Sequence, residues 1–201
     1  MDVLSRLVDA LRCLPGVGPK SAQRMVFHLL QHQRERGLHL ADCLTDAMTG
    51  ITHCEICNNY TMQTICELCQ TPDRDQHSIC IVESPADVMA LEQCMLFRGR
   101  YFVLMGKISP LDGIGPEEIG LPRLRTHVQQ AEIKEVILAL SPSIEGRTTV
   151  HFIQEYLRTL PVKISQLAHG IPSGGELALL DGNTIGSAFR NRECLIQDQI
   201  A

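Results

Sequence analysis

Val3, Leu4, Leu7, Val8 and Leu11 recur at the spacing of one helix face, with Asp2 placed to cap it. The pattern breaks at Leu14-Pro15-Gly16-Val17-Gly18-Pro19. The first helical position leaves its N–H unpaired, so a proline costs nothing there, and Pro19 predicts the start of a second helix. Ala22, Val26, Leu29 and Leu30 form its apolar face. After residue 77 the period changes. Ser78-Ile79-Cys80-Ile81-Val82 is apolar on both faces, as in a buried parallel strand. Ser84-Pro85-Ala86-Asp87 then supplies a cap, a first-position proline and a first-turn acid for a helix through Cys94. Further strands are expected at 101–105, 135–140 and 162–168, with a short one at 176–180, and helices at 121–133 and 148–160. Strand and helix alternate, which predicts an α/β domain with a mainly parallel sheet. Residues 106–116, rich in Gly and Pro, are too many for a simple connector.

Between the two patterns lie Cys54, Cys57, Cys66 and Cys69. Cys-x-x-Cys puts two thiolates on one tight turn, and two facing turns make an all-sulfur tetrahedron, which suits one structural zinc ion per chain. A redox dithiol needs a single Cys-x-x-Cys and would leave the second pair idle. Residues 53–70 contain no Lys or Arg and include Glu55 and Glu67, so this loop is a poor phosphate binder. Four thiolates also leave no open position for a catalytic water. The metal therefore reads as a staple.

Composition narrows the class. Hydrophobic content of 44% with 20% charged residues is ordinary for a soluble globular chain. No apolar run reaches the ~20 residues of a membrane span, and the first residues lack a basic then apolar leader. The remaining cysteines (Cys13, Cys43, Cys80, Cys94, Cys194) are scattered and odd in number, which suits free thiols in the cytoplasm. The net charge of −5 is uneven: residues 1–40 hold six Lys/Arg against Asp2, Asp9 and Glu35. Any nucleic-acid contact is therefore expected at the N-terminal end.

The turn there has the chemistry for it. Gly16 and Gly18 let backbone amides at a helix N-terminus approach an anion, and Lys20 and Arg24, four apart, share a helix face within reach of it. Leu-Pro-Gly-Val-Gly-Pro-Lys resembles the helix-hairpin-helix motif, which grips DNA backbone without reading sequence. His28, His32 and His39 follow and read as solvated or packed.

In a parallel sheet, function gathers at the C-terminal strand ends. Two ends carry acids: Glu83, and Ser141-Pro142-Ser143-Ile144-Glu145-Gly146-Arg147. The pair resembles the Toprim domain of topoisomerases and primases, where a Glu and an Asp-x-Asp hold Mg²⁺ for phosphoryl transfer. Here Ser141 and Ser143 stand at the Asp-x-Asp positions, and two neutral hydroxyls cannot replace two carboxylates. The rival reading, a Mg²⁺-dependent Toprim nuclease or primase-like phosphoryl transferase, keeps only Glu83 and Glu145. A zinc-ribbon transcription factor would explain the cysteines and leave residues 77–201 without a purpose.

The order of hairpin, cysteines and degenerate Toprim is similar to that of the bacterial RecR recombination mediators. The likeness rests on Leu14 through Ala22, the four cysteines, Val82-Glu83-Ser84-Pro85-Ala86-Asp87, Ser109-Pro110-Leu111-Asp112-Gly113-Ile114-Gly115-Pro116, Glu145-Gly146, and His169 through Leu177. It implies an α+β multi-module chain: a helix-hairpin-helix domain at 1–52, a four-cysteine zinc module at 53–76, and a Toprim-like domain with a C-terminal extension at 77–201. It further implies a cytoplasmic, nucleoid-associated, non-enzymatic DNA-repair protein. Such proteins form homodimers and ring-like homotetramers that can encircle DNA, and act with RecO and RecF to help RecA load at gaps coated by single-strand-binding protein. By position Lys20 and Arg24 contact DNA, and Glu83 and Glu145 mark a partner-binding face. Arg147 and Thr148, Ala178 and Ser141 depart from the family's usual residues, so partner affinity is where this chain is expected to differ.

Overall fold

The computed structural model describes residues 2–168, 170–172 and 174–191, with only the backbone of Arg190. The expectations for Cys194, and the His169 and Ser173 positions of the C-terminal motif, lie outside the described residues. The chain divides into two compact units, 1–52 and 53–201.

The first unit is helical: α1 (Val3–Leu11), α2 (Pro19–His32) and α3 (Arg34–Gly50). Asp2 and Pro19 stand where the sequence places them, although the Asp2 side chain makes no capping bond. Helix α2 buries Ala22 and Val26 and packs against both α1 and α3. Neither α1 nor α3 has a buried residue.

The second unit opens with a small two-stranded ladder, β1 (Thr52–His53) and β2 (Tyr60–Thr61), and a single helical turn α4 (Glu67–Gln70). These frame the cysteines. A four-stranded sheet follows, in the order β4-β3-β5-β6, with every pair parallel. Its strands are β3 (Ser78–Val82), β4 (Arg100–Val103), β5 (Glu135–Ala139) and β6 (Lys163–Gln166). Side chains alternate across the sheet. Ile79, Ile81, Phe102, Val136 and Leu138 pack with α6 (Leu121–Gln130) and α7 (Ile144–Leu157) on one face. Cys80, Val82, Tyr101 and Val103 pack with Val88 of α5 (Pro85–Cys94) on the other. Burial pushes the Cys80 thiol up to about 12, so it is an inert core residue. At the head of α5, Ser84 and Asp87 form the reciprocal capping box.

Two expectations change. The strand expected at 176–180 is a 3-10 turn, Leu177–Leu179. The N–H groups of Leu179 and Leu180 turn back to the carbonyls of Glu176 and Leu177, and Leu177 and Leu179 point outward. Asp181 then caps the next helix, α8 (Gly182–Arg190), by accepting from the N–H groups of Asn183 and Thr184. Helix α7 also starts earlier than the expected 148, because Ser143 caps it and accepts from the Gly146 N–H at 3.1 Å.

The long loop after β4 is closed on itself. Ser109 and Ile114 exchange backbone hydrogen bonds at 3.0 and 2.9 Å, and the Ser109 hydroxyl donates to Asp112 at 2.6 Å. Thr149, fully buried on α7, accepts from the Ile108 N–H at 2.9 Å and donates to the Glu145 carbonyl at 2.8 Å. That one hydroxyl ties the loop to the head of α7.

Candidate functional site

In the first unit, Gly16 takes a left-handed φ of +77°, which a side chain would resist. The Val17 N–H returns to the Leu14 carbonyl at 3.1 Å, closing the turn. Gly18 has an ordinary extended backbone and serves as N-cap of α2, and no side chain caps that end. A Cβ at either glycine would meet open space, so the approach to the helix N-terminus is clear. Lys20 and Arg24 are exposed on the first turns, and α2 carries no acidic residue at all. The hairpin thus offers amide dipoles and two cations to an anion.

In the second unit the four cysteine sulfurs lie within 4.8 Å of one another. Zn–S bonds of about 2.3 Å in a tetrahedron space sulfurs about 3.8 Å apart, so the cluster fits a zinc ion. Cys57 and Cys66 sulfurs are 3.5 Å apart, far longer than a disulfide bond. The Cys66 N–H donates to the Cys54 sulfur at 3.3 Å, as around a thiolate ligand. A hydrogen bond with Cys69 pulls the Cys57 thiol down to about 6, and Cys69 is pushed up by the same bond. Burial pushes Cys66 up to about 11. Arg123 of α6 donates to Asn58 Oδ1 and to the carbonyls of Cys54 and Glu55, pinning the first knuckle. The Val103 N–H donates to the Cys57 carbonyl at 2.8 Å, and the Asn58 amide to the Val103 carbonyl at 2.7 Å. The knuckle is therefore bonded along β4, an outer strand of the sheet.

At the C-terminal strand ends, the structure brings Glu83, Ser141 and Ser143 together and adds a residue that the sequence pattern did not single out. The Ser141 N–H donates to Glu83 Oε1 at 2.6 Å. Lys107 places its ammonium 3.5 Å from Glu83 Oε2 and 3.4 Å from the Ser141 hydroxyl. The Ser141 and Ser143 hydroxyls share a hydrogen bond at 3.2 Å. Glu145 is exposed in the first turn of α7, at the edge of this cluster beside Ser143. Its own backbone N–H, then the Ser143 hydroxyl, hold its carboxyl below the usual range. Magnesium needs about six oxygens near 2.1 Å. Here one carboxylate is already engaged by an amide and an ammonium, and the two hydroxyls bond each other. These residues do not fit Mg²⁺. Lys107 sits on the closed loop, too far in sequence from either motif for spacing to reveal it; a lone cation at the head of Ser-Pro-Leu-Asp-Gly was the one available signal.

A helical hairpin open to an anion, a four-cysteine knuckle and a parallel sheet with acids at its strand ends define a helix-hairpin-helix, zinc-finger and Toprim protein. Family models agree segment by segment: the RecR helix-hairpin-helix matches residues 4–48, the RecR four-cysteine zinc finger domain 51–71, and the Toprim domain 77–168. The chain is 70% identical over 192 residues to "Recombination protein RecR" of Legionella pneumophila subsp. pneumophila strain Philadelphia 1, covering 96% of both chains. It is equally similar to the proteins of that name in the Corby and Lens strains, covering 98% of each. The chain belongs to the RecR family. Among the described residues no helix is long and apolar enough to cross a membrane.

Proposed function

We propose that this chain is a non-enzymatic DNA-binding mediator of recombinational repair, working in the cytoplasm at the nucleoid. The observation that carries the reading is the pairing of an open, acid-free hairpin helix with a Toprim centre whose counter-charge is a lysine. The first can hold phosphate; the second lacks the donors for metal-assisted chemistry. Contacts run from the α2 amides, Lys20 and Arg24 to the DNA backbone, so binding is insensitive to sequence. A structural zinc held by Cys54, Cys57, Cys66 and Cys69 fixes the knuckle against β4.

Two cations per chain bind DNA weakly, and a multimer repairs that by avidity. Helix α3 supports self-assembly: Leu40, Leu44, Met48 and Ile51 fall on one stripe and remain 44–77% exposed. We assign the chain to a homodimer or ring-like homotetramer that encloses DNA. Family membership supports action with RecO and RecF to load RecA on gaps coated by single-strand-binding protein. The Toprim face around Glu83 and Glu145 is the docking surface in this reading.

The test is Lys20→Ala with Arg24→Ala in the full chain. DNA affinity should fall about tenfold, and the log–log salt slope should lose about 0.7–0.9 for each phosphate contact removed, with assembly mass unchanged. Unchanged DNA binding would sink the assignment.

A further inference from the structure

Helix α2 carries more than its first two cations. Lys20, Arg24, His28 and His32 recur every fourth residue along it. At 1.5 Å per residue each step advances about 6 Å, comparable to one nucleotide of an extended strand, and the row covers about 18 Å. These side chains line a shallow groove of about 520 Å³ on the helix surface, and Phe27 lies in it with them. The His28 and His32 rings lie 5.6 Å apart at a tilt of 54°.

Phe27 is the residue that local packing does not explain. The helix buries Ala22 and Val26 at 0% exposure. With 3.6 residues per turn, Phe27 points about 100° away from Val26 and about 140° away from Ala22. Met25 and Leu30, the other exposed apolar residues of α2, flank the buried stripe more closely on either side. Phe27 instead projects among Lys20, Arg24 and His28, 39% exposed. An aromatic ring interleaved with cations is the arrangement that binds single-stranded nucleic acid: the cations follow the backbone while the ring stacks on a base. In an intact duplex the bases are stacked already and give such a ring nothing to pair with.

We propose that the solvent face of α2 is a track for single-stranded DNA, in which Phe27 stacks on an unpaired base and His28 and His32 extend the phosphate contacts begun by Lys20 and Arg24. This rests on the DNA-binding reading above and adds a strand preference to it. The row winds about 120° around the helix from Lys20 to His32, so a bound strand crosses α2 obliquely, leaving the hairpin turn and ending beside the α2–α3 junction. Histidine reaches phosphate by an N–H bond in either charge state, so the two distal contacts are weaker than the first two.

The experiment is fluorescence anisotropy of the full-length protein with labelled oligothymidylate and with a duplex of equal length, at fixed salt. Phe27→Ala should weaken single-strand binding about fivefold or more, the effect of losing one stacked base, and duplex binding less than twofold. Phe27→Trp should restore it. The fluorescence of a 2-aminopurine base in the strand should be quenched by the wild type and by the Trp variant, and not by the Ala variant. His28→Ala with His32→Ala should weaken single-strand binding about threefold, and Lys at both positions should tighten it and steepen the salt slope. Solution mass confirms that each variant assembles normally. Equal losses for single strand and duplex in Phe27→Ala, or no loss in either, would overturn the proposal. If Lys20→Ala with Arg24→Ala leaves binding intact, the DNA reading itself fails. If that pair weakens binding while the Phe27 and histidine variants do not, only the present inference fails.

Discussion

Gly146 shows how one missing side chain sets the Toprim-like centre. A Cβ there would lie 2.0 Å from the Ser141 carbonyl oxygen, so the head of α7 can rest against the end of β5 only without one. Gly146→Ala should cost about 3 kcal/mol, the scale of an overpacked core, read as a lower urea midpoint; a midpoint within error of wild type would refute the contact's importance. Lys107 acts at the same centre through charge. Manganese titrated into the protein and followed by electron paramagnetic resonance should find no tight site at Glu83, and Lys107→Met alone should create none, because Ser141 and Ser143 stay neutral. A Glu83-dependent manganese site in the wild type would revive the phosphoryl-transfer reading. His127 on α6 gives a pH prediction. Burial, then the charges of Arg100 and Arg123, hold it below the ordinary histidine range, and its Nε2 is buried with no hydrogen-bond partner among the described residues. The fold therefore favours the neutral ring, while the unfolded chain takes up a proton near pH 6.5. Stability should be full above that value and fall as the pH drops below it. His127→Leu should lose less of its denaturation midpoint between pH 7.5 and 5.5 than wild type; equal losses would dismiss His127 as the cause. Of these residues the sequence revealed Gly146 as part of a Glu-Gly pair, though not why glycine is needed. Lys107 was invisible as functional because its contacts with Glu83 and Ser141 span 24 and 34 residues and leave no spacing to read, and His127 because its burial, the main cause of its shift, comes from the tertiary fold.

At the level of elements, the two strongest periodic signals survived intact. The apolar runs of β3 and β5 and the first-position prolines of α2 and α5 are local physics, so they were legible. Helix α3 was not: none of its 17 residues is fully buried, so no strongly packed face disciplined the pattern. The segment at 176–180 misled for the converse reason, since Leu177 and Leu179 alternate like a strand but fold into a 3-10 turn with both side chains exposed. The four-cysteine cluster was legible in the spacing, while its anchor Arg123, more than fifty residues downstream, was not. Zinc binding supplies on the order of 10 kcal/mol to small modules of this kind. Cys54→Ser with Cys57→Ser should therefore abolish the one zinc per chain measured by atomic absorption, and lower the melting temperature sharply. Arg123→Ala should keep the zinc and lose part of that stability. Zinc retained in the double cysteine variant would show the ligand set to be wrong.

For the whole molecule, self-assembly does not need the DNA contacts in the proposed reading, because the two use different helices, whereas DNA affinity depends on assembly through avidity. Leu44→Glu with Met48→Glu should lower the solution mass to that of the monomer and weaken DNA binding along with it, while the isolated chain keeps its helical circular dichroism. A full-sized assembly in that variant would move the subunit contact elsewhere. The bond from the Val103 N–H to the Cys57 carbonyl has a consequence beyond stability. An outer β-strand left bare is a template on which other chains can add, and here the knuckle covers part of that template on β4. Stripping the metal would do more than loosen a finger. It would uncover a sticky border on an otherwise intact sheet, so the metal-free protein should clump, with turbidity rising before the sheet's circular dichroism is lost.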